Sequence, residues 1–417
     1  MIRRALTNTG WLMGARGINA VLSLVYLALA TRVLGLDRFG QFVIAFTFAQ
    51  LIVGFASFQT WQTVIRWGQA EDDRKTATGF ALALDALTIT VGTIAAALLL
   101  YFAGDWLPIP RPQRLATFIF TVVSLLSIRS TPTGLLRLHD RFARAAAADA
   151  TTSTVRVLGA IFIAIVTPSI QSFLIVWSLA ELATAAMYWR MAARTEPIAW
   201  RRISLTRLPR EQEGAWKFVI GTSLTGTLSV ASRQLLVLLV GGLGGPALAG
   251  IYRVAAQLGE GLLKLAQAVL RAVYPELVRD PDQARAIVSR ITGIAIITGI
   301  IVVVLALLAA EWVIIAIAGT AFLAAYWPMV LLSAAAALEL AGASLEALLV
   351  ARGRAITNFL LRGIPTAIGL ASLPWMVERM GVIGAAVIVL ATSCVSVAGF
   401  VLMTRERGVG EKPPGAA

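Results

Sequence analysis

Cysteine and histidine are almost missing from this sequence. Its 417 residues hold one of each, Cys394 and His139. A lone cysteine excludes a disulfide framework and a cysteine metal site, and Cys394 sits in an apolar stretch. His139 falls in a basic loop and is read as solvated. No metal and no cofactor is expected. Charge is scarce too: Asp, Glu, Lys and Arg make up 14% of the chain, where a soluble domain carries about a quarter. Long outer loops are lacking, and with them the place where a membrane-embedded glycosyltransferase or ligase keeps its catalytic groups. The chain is therefore read as a non-enzyme.

What the chain has instead is apolar length. Hydrophobic residues make up 58% of it, and the mean hydropathy is +0.80. Its apolar runs repeatedly exceed the ~18 residues that mark a membrane-crossing helix. The sequence predicts an all-α, polytopic integral membrane protein. Twelve spans are expected, at 9–31, 40–66, 77–103, 114–136, 144–166, 170–192, 215–240, 247–276, 286–310, 325–350, 356–377 and 381–403. Met1-Ile2-Arg3-Arg4 precedes an apolar stretch too long for a cleaved signal, so the first helix is read as retained. Outer turns hold only Arg32, Arg38, Arg111, Arg114 and Arg379, and every alternate loop is richer in Arg and Lys. That bias marks the cytoplasmic side. Both termini are placed in the cytoplasm of a cell with the protein in its inner membrane. The net charge of +14 is thus a membrane-orienting charge set against lipid, and no nucleic-acid partner is expected.

The longest hydrophilic segment, Arg190 to Lys217, has no sustained apolar period and contains Glu196-Pro197 and Leu208-Pro209. It divides the chain into an N-terminal six-helix half, 1–192, a basic cytoplasmic linker, 193–214, a C-terminal six-helix half, 215–404, and a cytoplasmic tail, 405–417. Six spans per half give both halves the same orientation, a parallel repeat. The first outer turn, Leu34-Gly35 to Gly40 and Ala45, has a looser echo running from Leu243-Gly244 through Gly250-Ile251-Tyr252 to Ala255. Both echoes fall between the first two spans of their half. Gly241-Gly242-Leu243-Gly244-Gly245 follows no strand and is read as a turn, not a phosphate loop.

Charges within the spans are the functional signal. Each costs about 2.5–3.5 kcal/mol at a helix centre on insertion scales, so each should face protein or a wet cavity. Arg253, Gln257, Glu260, Lys264, Gln267 and Arg271 recur every three or four residues along one face of span 8. Arg16, Asn19, Ser23 and Tyr26 share a face of span 1. Gln59, Gln62 and Arg66 line the cytoplasmic end of span 2. Thr222, Thr225, Ser229 and Ser232 run along span 7 beside Arg233. Two readings stand for Glu260 with Lys264, and for Asp149 with Ser153 and Arg156: internal pairing, or a cavity lining. Arg16, Arg233 and Arg253, with Lys264, are the candidate cationic cavity, whose guanidinium groups suit a phosphate ligand. Asp85, Glu181, Glu339 and Glu346 are candidate coupling acids, or partners for the cavity arginines. Glu311-Trp312, at the end of span 9, reads as an interfacial anchor.

Several motifs converge on one family. Arg32-Val33-Leu34-Gly35 with Phe39-Gly40 and Ile65-Arg66 resembles the opening of polysaccharide-biosynthesis flippases. So do Gly250-Ile251-Tyr252-Arg253-Val254-Ala255 with Tyr274-Pro275-Glu276-Leu277, and Gly319-Thr320-Ala321-Phe322 running to Leu348-Leu349-Val350-Ala351-Arg352-Gly353-Arg354. The resemblance covers most of the chain and points to lipid-linked oligosaccharide exporters of the multidrug/oligosaccharidyl-lipid/polysaccharide superfamily. It implies two six-helix halves in a V-shaped, alternating-access bundle, and an undecaprenyl-diphosphate-linked oligosaccharide as the substrate partner. It also implies the neighbouring polymerase and export machinery of such a pathway. The rival reading within the superfamily is a multidrug or cation antiporter, whose cavity should be acidic or aromatic.

Overall fold

The computed structural model describes residues 2–277, 284–351 and 355–405. All of its regular elements are helices, with no strand among the described residues. Ten helices are long and apolar enough to cross a membrane, by length and composition. The all-α, multi-pass reading holds.

Two of the ten are double. Helix α1 (Ile2–Ala56) is interrupted at Gly35, with φ 71° and ψ −178°. Helix α9 (Ala215–Leu277) is interrupted at Gly245, with φ 83° and ψ 173°. This backbone region is essentially open to glycine alone. Each break therefore depends on a missing Cβ, and each is the junction of two expected spans. The echo is shifted by one residue from the sequence alignment: Gly35 matches Gly245, not Gly244. On that register Gly40 matches Gly250 and Ala45 matches Ala255 without a gap.

The remaining helices are α2 (Thr60–Trp67), α3 (Glu71–Phe102), α4 (Arg114–Leu126), α5 (Ser130–Leu138), α6 (Phe142–Val166) and α7 (Ile170–Thr195). They continue with α8 (Arg207–Glu211), α10 (Ala284–Ile317), α11 (Tyr326–Ala351), α12 (Ala355–Met380) and α13 (Val382–Arg405). Local chemistry accounts for several boundaries. Helix α3 opens on Glu71, Asp72 and Asp73, acids that complement the positive helix start. The Ser169 hydroxyl accepts from the Ser172 amide and caps α7. Helix α10 runs on past Glu311 and Trp312 to Ile317, so these residues lie within the helix rather than at its end, with Trp312 exposed.

Spans 2 and 4 are each broken, which the apolar runs did not foretell. Between α4 and α5 the helix stops at Ser127, Ile128 and Arg129. Pro132 explains this: its ring would clash with the carbonyl four residues earlier and cannot bond to it. Between α1 and α2 the break covers Ser57, Phe58 and Gln59, where Gln59 takes a left-handed φ of 49°. No proline or glycine lies in that break.

Contacts group the chain into two compact units, 1–249 and 250–417. In the first unit, α1 folds back at Gly35. Tyr26 from its first leg and Phe42 and Phe46 from its second meet on Trp177 of α7, at ring separations of 5.1, 6.0 and 4.4 Å. The second leg of α1 runs antiparallel to the first leg of α9. Gly40 abuts the Pro246 backbone, Ile44 meets Gly241, and Gly54 meets Val230. Thr227 also donates to the Gly54 carbonyl at 3.2 Å. In the second unit, glycines set close crossings: Gly259 faces Ser333, Gly342 faces Val397 and Gly399 faces Leu361.

The linker is folded onto the first unit. Leu208 of α8 is buried with Ala77, Phe80 and Leu84 of α3 and Ala215 and Val219 of α9. The Arg202 backbone rests on Gly79, a contact that no larger residue would allow. Glu196 ties three segments, pairing with Arg74 at 2.6 Å and with His139 at 2.8 Å. His139 is therefore a part-buried partner of a carboxylate, correcting its reading as a solvated loop residue. Glu196→Ala is expected to release this strap. Trypsin cleavage at Arg201, Arg207 and Arg210 in the folded protein should then accelerate about fivefold or more, as local opening becomes less costly. An unchanged cleavage rate would show that Leu208 alone holds the strap.

Candidate functional site

Several charged residues of the first unit find their partners on other helices. Arg129, at the break before α5, donates to Glu181 of α7 at 2.7 Å. Tyr188 of α7 donates its hydroxyl to Asp149 of α6 at 2.9 Å. Arg156 bonds Ser153, as expected, and the Thr152 carbonyl, and its guanidinium lies 4.5 Å over the Trp177 ring. Asp149 thus takes Tyr188, not Arg156, as its hydrogen-bond partner. Glu181, a candidate coupling acid, is engaged in an ion pair.

Asp85 sits in the middle of α3 and is 6% exposed. Its two oxygens accept from different helices: Thr60 of α2 at 2.9 Å and Thr131 of α5 at 2.6 Å. No cation pairs with it among the described residues. Asp85 is visible in the sequence as an acid within a span, whereas its partners lie on separate spans and carry no sequence signal.

Helix α2 carries the expected polar face. Its buried side is Thr60, Thr63 and Val64. Gln59 and Gln62 are half-buried and Arg66 is exposed, so the three share the other side. Gln59 accepts from the Trp61 indole at 2.7 Å. The Arg66 guanidinium lies 4.5 Å over Phe218 and 5.2 Å over Trp67, contacts that favour a cation. On the opposite side of the membrane, Arg114 and Arg111 bond Asp105 and hold its carboxyl below the usual carboxylate range.

In span 1, Asn19 and Ser23 are half-buried and Tyr26 is buried against Phe173 and Trp177. That face turns toward the core of its own unit at Tyr26. The Arg16 side chain lies outside the described residues, and so does that of Lys264. Arg233, on the first leg of α9, is exposed. On the second leg, Arg253, Gln257 and Glu260 are all half-buried, while Val254, Ala255 and Leu258 on the other side are buried. The span 8 stripe is therefore real as far as Glu260. Arg253 and Glu260 stand two turns apart on this side of the leg.

The second unit holds a small, partly open polar cavity of about 40 Å³ lined by Glu339, Arg362, Thr366, Thr392, Ser393 and Ser396. Ser393 donates to Glu339 at 3.1 Å. Arg362 grips Glu346 with two hydrogen bonds, 3.1 and 2.6 Å, and Asn358 adds a third at 3.1 Å. Arg362 lies within α12 and is the partner of a half-buried acid. Of the two candidate acids here, Glu346 is paired and Glu339 faces the cavity.

Helical membrane bundles with charge pairs and polar rows set into their spans form one broad class, and this chain is built as one. Within that class it belongs to the polysaccharide biosynthesis protein family, whose sequence profile matches residues 5–279. A relative is the inner membrane protein YghQ of Escherichia coli (strain K12). It is 28% identical over 296 residues, 68% of this chain and 83% of the relative. Lipid II flippase MurJ in an inward closed conformation shares the fold, with a TM-score of 0.76 at 12% identity, covering 94% of this chain and 87% of that one. So does a multidrug resistance MATE family transporter of the MOP superfamily in an inward-facing conformation. Its TM-score is 0.71 at 18% identity, over 92% and 94% of the two chains. At these identities the likeness is one of fold.

Proposed function

We propose that this protein is a flippase. Its substrate is an undecaprenyl-diphosphate-linked oligosaccharide, moved from the cytoplasmic to the outer leaflet of the inner membrane for exopolysaccharide, capsule or O-antigen synthesis. The observation that carries the reading is the half-buried row Arg253, Gln257 and Glu260 inside an apolar span of a polysaccharide biosynthesis family member. A guanidinium out of water favours a phosphate oxygen, which it can meet with two parallel hydrogen bonds. Arg16, Arg233 and Lys264 join Arg253 as the cationic set, and Asn19, Ser23, Gln59, Gln62, Arg66 and Gln257 offer hydrogen bonds to a sugar headgroup. The polyprenyl tail stays in lipid. Both termini lie in the cytoplasm, and the halves 1–192 and 215–404, joined by the 193–214 linker, are the parts that alternate access. Moving an anion out of a negative interior is favoured by about 2.3 kcal/mol per charge per 100 mV, so the membrane potential contributes to the drive.

The multidrug antiporter reading draws on the shared MATE fold. An organic cation would call for an acidic or aromatic lining, and the row on span 8 begins with arginine. The two readings separate in one experiment. In a strain whose surface polymer depends on this protein, Arg253→Ala is expected to lower export about tenfold or more, the loss of one charge-assisted contact, at unchanged protein level. The lipid-linked precursor should accumulate inside. Unchanged export in Arg253→Ala and Arg233→Ala alike would sink the flippase site, and loss of dye efflux with normal polymer would favour the antiporter.

A further inference from the structure

We infer that the short half-helices α2 and α5 form one rigid body, hinged at 57–59 and 127–129, and that Asp85 is the positioning residue pinning this body to α3. The inference rests on the flippase reading for its purpose, since it names a moving part inside the N-terminal unit. The geometry stands on its own.

The two half-helices are joined along their length. Gly134 of α5 lies against α2 so closely that a Cβ there would sit 2.9 Å from the Trp61 Cα and 2.9 Å from the Val64 Cβ. The Trp61 amide, one of the donors that a helix start leaves without an internal partner, donates to the Ser130 hydroxyl at 3.1 Å. The Arg137 guanidinium covers the Trp61 ring at 4.4 Å. Three kinds of contact, spread from residue 130 to residue 137, leave little room for α2 and α5 to move independently.

Each half-helix is cut from its outer leg at a neighbouring point. Across a break the regular backbone ladder is lost, so bending there costs less than within the intact legs. Two cuts side by side define a line about which the joined pair can turn. Both cuts lie in spans expected to run from outside to inside, so the pair forms the cytoplasmic ends of spans 2 and 4.

Asp85 belongs to α3, which is continuous from Glu71 to Phe102. One carboxylate oxygen holds Thr60, the first residue of α2, and the other holds Thr131, in the first turn of α5. Each helix start carries roughly half a positive charge, and together the two offset a buried carboxylate that no cation neutralises among the described residues. The arrangement works only while both half-helices are in place. A single anion thereby couples them to each other and to α3. The same body carries Gln62 and Arg66, with Gln59 at its hinge, so its placement sets where those groups stand.

The test is hydrogen exchange on the full-length protein in lipid nanodiscs, without ligand. Asp85→Ala is expected to speed amide exchange about tenfold or more in 60–67 and in 130–138 together, while 40–56 and 114–126 keep their wild-type rates. Asp85→Asn keeps one acceptor oxygen without the charge and should fall between. It also serves if the alanine variant does not fold. Loosening of one half-helix alone, or of the outer legs to the same degree, overturns the inference. A second readout separates positioning from mere stability. Polyprenyl-diphosphate lipid co-purifying with the protein, measured by mass spectrometry, should be unchanged in Asp85→Asn, while polymer export falls about fivefold or more. Equal loss of both would make Asp85 a binding or folding residue instead. If wild type carries no such lipid, the flippase reading fails while the exchange result still judges the hinged body.

Discussion

Gly40→Val is expected to cost the protein about 3 kcal/mol of stability, the upper end for forcing extra atoms into a packed contact. The second leg of α1 touches the Pro246 backbone at Gly40, and any Cβ at that position would overlap the Pro246 carbonyl. Backbone cannot rotate aside as a side chain can, so either α1 shifts or the turn at Gly245 does. The measurement is thermal unfolding in detergent, followed by size-exclusion of the heated sample. Gly242→Val is the control, because nothing lies within 4 Å of a Cβ there. A Gly40→Val protein melting with wild type would mean that the two outer turns do not hold this contact in the membrane protein as purified.

Arg129→Ala should be nearly as severe, at about 3 kcal/mol, because it strands Glu181 as a largely buried charge without its partner. The Glu181 side chain is 15% exposed and the Arg129 side chain 30%, so little water can replace the lost hydrogen bond. Replacing both, as Arg129→Met with Glu181→Met, is expected to recover most of the loss, since two apolar side chains of similar volume leave no buried charge. The same thermal measurement reads both variants. If the double variant is as unstable as the single, the damage comes from the break at Ser127–Arg129 itself rather than from the stranded carboxylate.

The spans were legible in the sequence because hydropathy alone selects them. Residues 144–166 and 325–350 were expected as helices, and α6 and α11 occupy Phe142–Val166 and Tyr326–Ala351. The glycine turns were legible as a pair but not to the residue. Gly244 and Gly245 are adjacent, and only the positive φ of Gly245 says which one bends the chain. One break carries a signal in the sequence: Pro132, with Gly134, inside an apolar run. The other, at Ser57–Gln59, is held by partners elsewhere in the chain and had none.

The charges show why spacing reached only part of the site. Glu181 and Arg129 are 52 positions apart, and Asp85 and Thr131 are 46 apart. Such pairs arise from the packing of helices, about which a periodic stripe is silent. Where a stripe lies on a single helix, as at Arg253, Gln257 and Glu260, the sequence was enough. The docking of the linker was illegible for a related reason: Glu196, the Arg202 backbone and Leu208 hold it at separate points, and scattered contacts make no period.

Gly35 and Gly245 have a consequence for where the chain can be extended. Each joins two membrane legs through a single non-helical residue, so there is no spare chain at either corner. Between α3 and α4, by contrast, residues 103–110 lie outside any helix and have length to give. A tag or epitope spliced in beside Gly35 or Gly245 would separate legs that one residue now holds in register. The same tag placed at 103–110 would hang from a loop. The segment 103–110 is thus a good handhold on the protein, and the two corners that look most like loops in the sequence are poor places to grip it.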